Sequence, residues 1–349
     1  MHRCLELAVK GRGSVAPNPM VGCVIVHDGQ IIGEGWHRQF GKAHAEVNAI
    51  TDVKKKDLLP SSTLYVNLEP CAHYGKTPPC ADLLISSSIP RVVIGCEDSF
   101  SLVKGKGIEK MRQAGIEVIK GVLEKEARYL NRRFFTFHEH HRPYVILKWA
   151  ESSDGFIDRN RSSEIATPLQ ISTAESRRLV HQWRSEEQAI LVGTNTALLD
   201  NPRLTARESE GKNPLRIAID RHNKIPLTYH LKDGSVPTLI FTESPTDSGG
   251  KWENVIIPFD TREAFIESLL MELYRRQITS LLVEGGAALL NSFLFSGKWD
   301  EARVFISPIE INQGIRAPEK PSFAYNHQRI DADELKIYRN EEDIYASQK

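Results

Sequence analysis

The amino-acid sequence predicts two α/β domains, one after the other. Its 349 residues are more than one ordinary domain requires, and helix-like and strand-like segments alternate throughout. A polar stretch, His138-Glu-His-His-Arg-Pro143, precedes a new apolar strand. We therefore place the boundary near residue 142, which gives domains 1–142 and 143–349. The histidines of that stretch could bind a metal ion, but a solvated polar linker is the favoured interpretation.

The first domain begins with a helix over residues 3–10. Asp28-Gly29 is a strong hairpin signal between two strands, 21–26 and 31–36. A further helix starts near Ala43. Strands and helices then alternate over 64–68, 81–85, 91–95, 107–114 and 117–120. This alternation favours a largely parallel sheet covered by helices.

The second domain opens with the apolar strand Tyr144–Ala150. Ser172-Thr-Ala-Glu175 has the pattern of a capping box and predicts the start of a helix. Gly285-Gly286 joins a strand to a helix over 287–295. The remaining strands are predicted at 189–192, 215–219, 238–241, 280–284 and 302–306. Both domains are therefore assigned to the α/β class.

Composition and charge exclude several classes of function. There are 45 Lys and Arg residues and 45 Asp and Glu residues, so no basic field gathers nucleic acid or an anionic membrane. No apolar run is long enough to cross a bilayer, and the N-terminus lacks a signal-peptide pattern. Five cysteines, an odd number, do not form a disulfide framework, so we expect reduced thiols and a cytoplasmic protein.

Three residues form a predicted zinc site: His44, Cys71 and Cys80. One imidazole and two thiolates leave a tetrahedral zinc ion with an open position for water, as in catalytic sites. Cys80 falls in the first turn of a predicted helix, where the positive helix end favours a thiolate. Glu46 cannot coordinate on the same helix face as His44, because positions two apart diverge. It is the predicted general base, which takes a proton from the water and passes it to the ring nitrogen and the departing amine.

The alternative is a structural zinc site. Such a site would need a fourth protein ligand, and His73 is the one nearby candidate. Zinc deaminases of nucleic-acid bases combine His-x-Glu with Pro-Cys-x-x-Cys. Here eight residues separate Cys71 from Cys80. The longer loop and the neutral net charge argue against a deaminase of nucleic acids.

The motifs resemble one family in particular. Ala16-Pro-Asn-Pro-Met-Val-Gly22, His44-Ala-Glu46 and Pro70-Cys-Ala-His-Tyr-Gly-Lys-Thr-Pro-Pro-Cys80 are similar to the bifunctional deaminase–reductases of riboflavin biosynthesis. The resemblance continues through Leu147-Lys-Trp-Ala-Glu-Ser-Ser-Asp-Gly155, Ala189-Ile-Leu-Val-Gly193, Asp200-Asn-Pro202 and Val283-Glu-Gly-Gly286. It implies a cytidine-deaminase-like α/β/α domain followed by a dihydrofolate-reductase-like α/β domain.

The resemblance also implies the reactions and their cofactors. The first domain would deaminate a diamino-hydroxy-pyrimidine that carries a phosphoribosylamino group, and the second would reduce the ribosyl chain to ribityl with NADPH. Substrate contacts in the deaminase pocket are implied at Asn18, His37, His73 and Lys76. Substrate contacts in the reductase are implied at Arg184, Leu204, Arg207 and Glu284, and NADPH contacts at Ala150, Thr196, Asp200, Gly286, Ala287, Ala288, Leu289, Leu290, Asn291 and Ser292. The same resemblance, together with exposed sheet edges, favours a homo-oligomer.

Physical arguments point to a binding site in the second domain as well. Lys148 interrupts an apolar strand, so it either reaches solvent from an edge strand or points into a site, where we expect it to polarise the opened sugar. Glu284-Gly-Gly286 ends a strand and opens a helix whose N–H groups suit a phosphate. A simple turn explains that spacing equally well, and the Rossmann fingerprint is missing. Arg184 and Arg207 suit a clamp on the sugar phosphate.

The chain departs from the family pattern at two places. Pro168-Leu-Gln-Ile171 replaces a Ser-Gln-Trp-Ile-type stretch, and Asp98-Ser-Phe-Ser101 replaces Asp-Pro-Asn-Pro. Three alternatives therefore stay open. They are a zinc deaminase of another base with an inactive or unrelated second domain, a structural zinc module joined to a nucleotide-binding domain, and a chain in which one half is inactive.

Overall fold

The computed structural model describes residues 1–73, 78–100, 103–161, 167–244, 251–322, 324 and 326–340. The chain forms two compact units, Met1–His141 and Arg142–Lys349. Each unit contains one main sheet with helices packed against it. In the described part of the chain, no helix combines the length and the apolar character needed to pass through a membrane.

The first unit contains a five-stranded sheet in the order β2-β1-β3-β4-β5. Its elements are α1 (His2–Val9), β1 (Gly22–His27), β2 (Gln30–Trp36), α2 (Ala45–Asp52), β3 (Thr63–Leu68), α3 (Cys80–Ser86), β4 (Arg91–Cys96), α4 (Lys106–Gln113), β5 (Glu117–Lys120), α5 (Glu124–Leu130) and α6 (Arg132–His140). β1 is antiparallel to β2 and β3, whereas β3, β4 and β5 are parallel. The hairpin predicted at Asp28-Gly29 is confirmed by the antiparallel pair β1 and β2. The prediction of a largely parallel sheet is wrong for the pairing of β1 with β3, which is also antiparallel.

Helix α6 occupies the stretch that the sequence analysis assigned to a linker. Residues 138–140 are the last turn of this helix, so the linker interpretation is wrong for them. Phe134, Phe135 and Phe137 are buried, and the rings of Phe134 and Phe137 contact the His138 ring. The spacing of these phenylalanines was an available helix signal that charged and polar neighbours obscured.

A close contact between β2 and α2 fixes the start of α2. A Cβ atom on Gly35 would lie 2.3 Å from the nitrogen of Ala49 and 2.4 Å from the carbonyl oxygen of Ala45. Only glycine therefore allows the helix to lie this near the strand. The residue that caps α2 is His44, so this contact helps to position a predicted metal ligand.

The second unit contains a nine-stranded sheet in the order β11-β10-β9-β8-β12-β6-β13-β16-β15, and a ribbon of β7 and β14. Its elements are β6 (Tyr144–Ser152), β7 (Phe156–Asp158), α7 (Ala174–Glu186), β8 (Ala189–Val192), α8 (Thr194–Asp200), β9 (Leu215–Ile219), β10 (Thr238–Thr242), β11 (Glu253–Ile256), α9 (Arg262–Arg275), β12 (Ser280–Val283), α10 (Ala287–Ser296), β13 (Glu301–Ser307), β14 (Ile315–Arg316), β15 (Asn326–Ile330) and β16 (Asp333–Arg339). The strands from β11 to β13 are parallel, and β16 and β15 extend the sheet antiparallel.

Every strand and helix predicted for the second domain is present. The start of α7 needs a correction, because its cap is Thr173 and not Ser172. The Thr173 hydroxyl accepts a hydrogen bond of 3.2 Å from the Ser176 nitrogen, which satisfies a free N–H of the first turn.

The two faces of this sheet are covered by different helices. α9 and α10 pack on one face. On the other face, Tyr144 and Ile146 of β6 share a core with Ala197 of α8, and Trp183 of α7 packs on β13. Side chains alternate along a strand, so Lys148 lies on the face of Tyr144 and Ile146, toward α7 and α8.

Candidate functional sites

The first unit brings His44, Cys71 and Cys80 together. His44 caps α2, Cys71 follows β3, and Cys80 is the first residue of α3. His44 Nδ1 lies 3.6 Å from Cys71 Sγ and 3.3 Å from Cys80 Sγ, and all three ligand atoms are within 4.8 Å of one another. Zinc bonds of about 2.0 Å to nitrogen and about 2.3 Å to sulfur require separations of this size. The donor set therefore fits a zinc ion.

The cluster consists of three ligands among the residues that the structure describes, and His73 is not one of them. The His73 ring lies instead 6.0 Å from the ring of Phe100. A set of three protein ligands leaves one coordination position open, which is typical of catalytic rather than structural zinc.

Hydrogen bonding determines the protonation of the two sulfur atoms. The Cys80 thiol donates to Cys71 Sγ, and the Cys80 backbone N–H also donates to it over 3.4 Å. The thiol contact, with the help of His44 and against the effect of burial, lowers the pKa of Cys71. The same contact and burial raise the pKa of Cys80. The arrangement therefore favours the thiolate form of Cys71, which is the form that binds a metal ion.

Glu46 lies in the first turn of α2 and is almost fully buried. Burial is the main cause of the raised pKa of its carboxyl group, which also contacts the Cys80 sulfur. Glu46 is outside the ligand set. A carboxyl group beside the ligands, with a raised pKa, is suited to accepting and returning a proton.

Two of the four residues implied for the deaminase pocket lie beside the cluster. The His37 ring is 5.4 Å from the His44 ring, and Asn18 Nδ2 is 3.2 Å from His37 Nε2. His37 Nδ1 is in turn 3.1 Å from the Ala43 carbonyl oxygen, and burial lowers the pKa of this imidazole. Lys76 lies outside the described residues.

Buried polar residues that the sequence analysis did not single out hold the loops around this site. Asn67 and Asn131 both bond the backbone of Met20, and Asn67 also accepts from the Gly22 nitrogen. The Glu69 carboxylate accepts hydrogen bonds from backbone N–H groups at the start of α4. Asn67 lies within the apolar strand β3, and Glu69 follows it directly. A polar residue at such a position was the sequence signal that could have identified both.

The stretch that begins at Asp98 takes part in the same region. Asp98 is buried, which raises its pKa to about 7, and its Oδ1 accepts from the Phe100 nitrogen over 2.7 Å. The Phe100 ring contacts His73 and lies 5.0 Å from the His138 ring. Phe100, where the family pattern has asparagine, is therefore an aromatic neighbour of His73. Ser101 lies outside the described residues.

The second unit contains a cavity of about 1170 Å³. It lies where β6, β9 and β12 end and where α8 and α10 begin, at the carboxyl edge of the parallel strands. Ligands bind at this edge in open α/β sheets. The four residues of the altered stretch, 168–171, also line the cavity.

Most of the residues implied for the reductase line this cavity. They are Lys148, Ala150, Arg184, Thr196, Asp200, Arg207, Glu284, Gly286, Ala287, Ala288, Leu289 and Ser292. Within the described residues, the lining does not include Leu204, Leu290 or Asn291. Leu204 and Leu290 are buried in the apolar cores, and only one face of α10 can turn toward the cavity.

Three charged residues that line the cavity form a buried ion cluster. Arg184 Nε and Nη2 each lie 2.8 Å from an oxygen of Glu284, and Lys148 Nζ lies 3.7 Å from Glu284 Oε2. Burial by itself would raise the pKa of Glu284, but the charges of Arg184 and Lys148 lower it to about 2. Burial lowers the pKa of Lys148. Because β6 is a central strand, Lys148 points into the site and does not reach solvent from an edge.

Arg161 is a cavity residue that the sequence analysis missed. Its guanidinium group forms ion pairs of 2.5 Å with Asp158 and with Asp200, an implied NADPH contact. Burial raises the pKa of Asp200, and the contact with Arg161 opposes that effect. The position of Arg161 in a polar loop gave no signal of this partnership.

Two protein-family models match the chain. Residues 1–96 match the cytidine and deoxycytidylate deaminase zinc-binding region, and residues 143–328 match the RibD C-terminal domain. Riboflavin biosynthesis protein RibD of Aquifex aeolicus is 41% identical over 318 residues, which cover 90% of this chain and 88% of that protein. The protein of the same name from Escherichia coli is 37% identical over 325 residues, which cover 88% and 86%.

Two solved structures are similar over nearly the whole chain. One is a diaminohydroxyphosphoribosylaminopyrimidine deaminase/5-amino-6-(5-phosphoribosylamino)uracil reductase from Thermotoga maritima, with a TM-score of 0.87, 39% identity and 97% of each chain covered. The other is RibD of Acinetobacter baumannii, with a TM-score of 0.85, 33% identity and 96% of each chain covered.

The fold and the two sites define a two-domain enzyme in which a zinc-binding deaminase domain is followed by a reductase domain. The reductase domain implies a nucleotide cofactor. The chain belongs to the RibD family of riboflavin biosynthesis proteins. This confirms the predicted family, the α/β fold class and the bifunctional enzyme. The alternatives of an unrelated second domain and of a purely structural zinc module are wrong.

Proposed function

We propose that this chain deaminates a diamino-hydroxy-pyrimidine carrying a phosphoribosylamino group and then reduces the product with NADPH. Residues 1–142 are proposed as the deaminase domain and residues 143–349 as the reductase domain. One observation carries the proposal: the same chain contains both sites. The first is the cluster of His44, Cys71 and Cys80 beside Glu46. The second is the cavity lined by the ion cluster of Lys148, Glu284 and Arg184. The printed name of the Thermotoga maritima relative supports this pair of reactions.

In the deaminase site, His44, Cys71 and Cys80 would hold the zinc ion, which supplies a water molecule of lowered pKa when bound. Glu46 would take the two protons of the attacking water in turn and give one to the ring nitrogen and the other to the departing amine. The ring carbon gains an oxygen atom and loses ammonia. Asn18, His37, His73 and Lys76 are proposed to bind the substrate.

In the reductase cavity, NADPH supplies a hydride when bound. The sugar would open first: the bond from C1′ to the ring oxygen breaks, that oxygen takes the proton of the attached amino nitrogen, and a C1′=N double bond forms. C1′ would then accept the hydride, and the nitrogen would take up a proton. Lys148 is proposed to polarise the opened sugar, because its ammonium group is buried beside Glu284. The proposed substrate contacts are Arg184, Leu204, Arg207 and Glu284. The proposed NADPH contacts are Ala150, Thr196, Asp200 and residues 286–292, where the backbone N–H groups at the start of α10 suit a phosphate.

A cytoplasmic location and a homo-oligomeric state are part of the proposal. All five cysteines are free, and a metal site with two thiolate ligands is suited to a reducing compartment. The small-molecule substrate and the balance of 45 basic and 45 acidic residues support an enzyme without a nucleic-acid partner.

The test is to give the purified enzyme the diamino pyrimidine phosphate, zinc and NADPH, and to follow NADPH oxidation. We expect wild type to oxidise NADPH, and Glu46→Ala to do so only with the already deaminated compound. Accumulation of deaminated product without NADPH oxidation would mean that the reductase half is inactive. Oxidation by Glu46→Ala from the original substrate would exclude Glu46 as the general base.

A further inference from the structure

The Glu69 side chain lies where β3 ends and is almost fully buried. Its Oε2 atom accepts hydrogen bonds from the backbone nitrogens of Asp98 and Gly105, over 3.2 and 3.0 Å. Its Oε1 atom accepts from those of Gly107 and Ile108, over 2.9 and 3.3 Å. Each oxygen therefore has two donors, and such bonds to a carboxylate are stronger than bonds between neutral groups.

These hydrogen bonds connect the start of α4 to the strand end that leads to a zinc ligand. The backbone N–H of Glu69 donates to the Cys96 carbonyl oxygen over 3.0 Å, which continues the pairing of β3 with β4. Cys71 follows Glu69 by two positions. A Cβ atom on Gly107 would lie 2.0 Å from the Pro70 carbonyl oxygen, so only glycine allows α4 to begin this close. Glu69 therefore fixes α4 against the turn that carries Cys71.

Glu69 also binds the chain on both sides of Phe100. One of its partners is Asp98, which precedes Phe100, and another is Gly105, which follows it. The Phe100 ring lies 6.0 Å from the ring of His73, a proposed substrate contact. A change at Glu69 is therefore transmitted to the deaminase pocket through residues 98–100, which we name the rim.

Two buried polar atoms at the rim lack a hydrogen-bond partner among the described residues. They are Nδ1 of His73 and Oγ of Ser99. Buried polar atoms of folded proteins nearly always have partners, so an unpaired one indicates a group that a bound molecule completes. Ser99 stands where the family pattern has proline, which has no hydroxyl group. The rim therefore has the character of a binding surface.

We propose that Glu69 is a positioning residue of the deaminase site, which holds the rim where Ser99 and Phe100 contact the substrate beside His73. The inference rests on the proposed deaminase function. Glu69 is outside the cluster of three metal ligands. Its oxygens are bound to backbone N–H groups, so it acts through the backbone of the rim and not on the reacting atoms.

The experiment measures deamination of the diamino pyrimidine phosphate by Glu69→Gln. Glutamine has one acceptor oxygen, and its NH2 group would face N–H donors, so one pair of hydrogen bonds is lost. We expect the KM of this substrate to rise roughly 10- to 100-fold, as for lost hydrogen bonds to a charged group, with kcat unchanged. The zinc content, measured by atomic absorption, and the reduction of the already deaminated compound should also be unchanged.

Met111→Ala is the matched control, because Met111 is a buried core residue of the same helix. It should lower the midpoint of urea unfolding and leave the KM unchanged. A double variant tests the route of the effect. Phe100→Ala should raise the KM by itself, and adding Glu69→Gln should then raise it by less than the product of the two single effects.

An unchanged KM or a loss of zinc in Glu69→Gln overturns the proposal, and so do an equal rise in Met111→Ala and single effects that multiply in the double variant. Glu69→Asp, which keeps both oxygens, should raise the KM less, and it replaces the glutamine variant if that variant does not fold. Hydrogen exchange needs no turnover, and the amides of the rim should exchange faster in Glu69→Gln. If wild type does not deaminate the compound, the proposed function fails. Equal exchange in wild type and variant would then still exclude Glu69 as the residue that holds the rim.

Discussion

Replacing Glu284 with glutamine removes the centre of the ion cluster in the reductase cavity. The Glu284 side chain is only 8% exposed, and its carboxylate binds Arg184 at 2.8 Å through both oxygens, with Lys148 at 3.7 Å. Glutamine keeps the shape of the side chain but not its charge. Two buried cations then lose their shared counter-ion, which is the costly way to break a buried pair.

The expected size of the effect follows from the pKa of Glu284. Arg184 and Lys148 overcome the effect of burial and hold this pKa at about 2, against an ordinary value of 4.5. A shift of that size corresponds to about 3 kcal/mol of stabilisation. Because the folded-state pKa is the lower one, the stabilisation is complete above pH 4.5 and is lost as the pH falls toward 2. We therefore expect the variant to lose about 3 kcal/mol at pH 7.

Urea unfolding at pH 7 measures this loss. With a slope of about 3 kcal/mol per molar, the midpoint for Glu284→Gln should fall by about 1 M. Glu243→Gln is the control, because Glu243 forms an exposed pair with Arg221 of similar geometry and should change stability by less than about 0.5 kcal/mol. Equal midpoints for the two variants would refute the reasoning. Adding Arg184→Met to Glu284→Gln should recover part of the loss.

Three further predictions concern the two sites. Lys148→Met should slow NADPH oxidation roughly 100-fold and leave deamination unchanged, and equal reductase rates would remove Lys148 from the reaction. Removing zinc with a chelator should stop deamination but not reduction. A thiol reagent should then label Cys71 first, because the other four cysteines are buried, and mass spectrometry identifies the labelled residue. Asp98→Asn should gain stability over wild type as the pH rises from about 4 to about 7, by up to about 4 kcal/mol, and hold that gain above pH 7. The sign follows from the two pKa values of wild-type Asp98. Its carboxyl group ionises near pH 4 in the unfolded chain but only near pH 7 in the folded protein, so wild type loses stability between these pH values. A gain independent of pH in urea titrations would contradict the assigned burial.

Local patterns were sufficient for most of the elements and for the metal cluster. The Asp28-Gly29 turn and the apolar strands have short-range signatures, and His44, Cys71 and Cys80 belong to motifs whose residue types are restricted by zinc chemistry. Strand pairing was less accessible, because the alternation of strands and helices does not specify which strands of a sheet are neighbours. The Asp28-Gly29 turn predicted the antiparallel pair β1 and β2, but the antiparallel pairing of β1 with β3 departs from the expected parallel arrangement.

The sequence by itself therefore determined the family, the two α/β domains and the three residues of the candidate zinc site. The tertiary structure decided which charges meet. Glu284 lies 100 positions from Arg184 in the chain, and no local pattern indicates that the two side chains bind each other. Folding also left Arg177 without a carboxylate partner among the described residues. It buried the side chains of Leu204 and Leu290 in the apolar cores. Pairing of buried charges depends on burial and on distance in space, and a linear sequence specifies neither until the chain is folded.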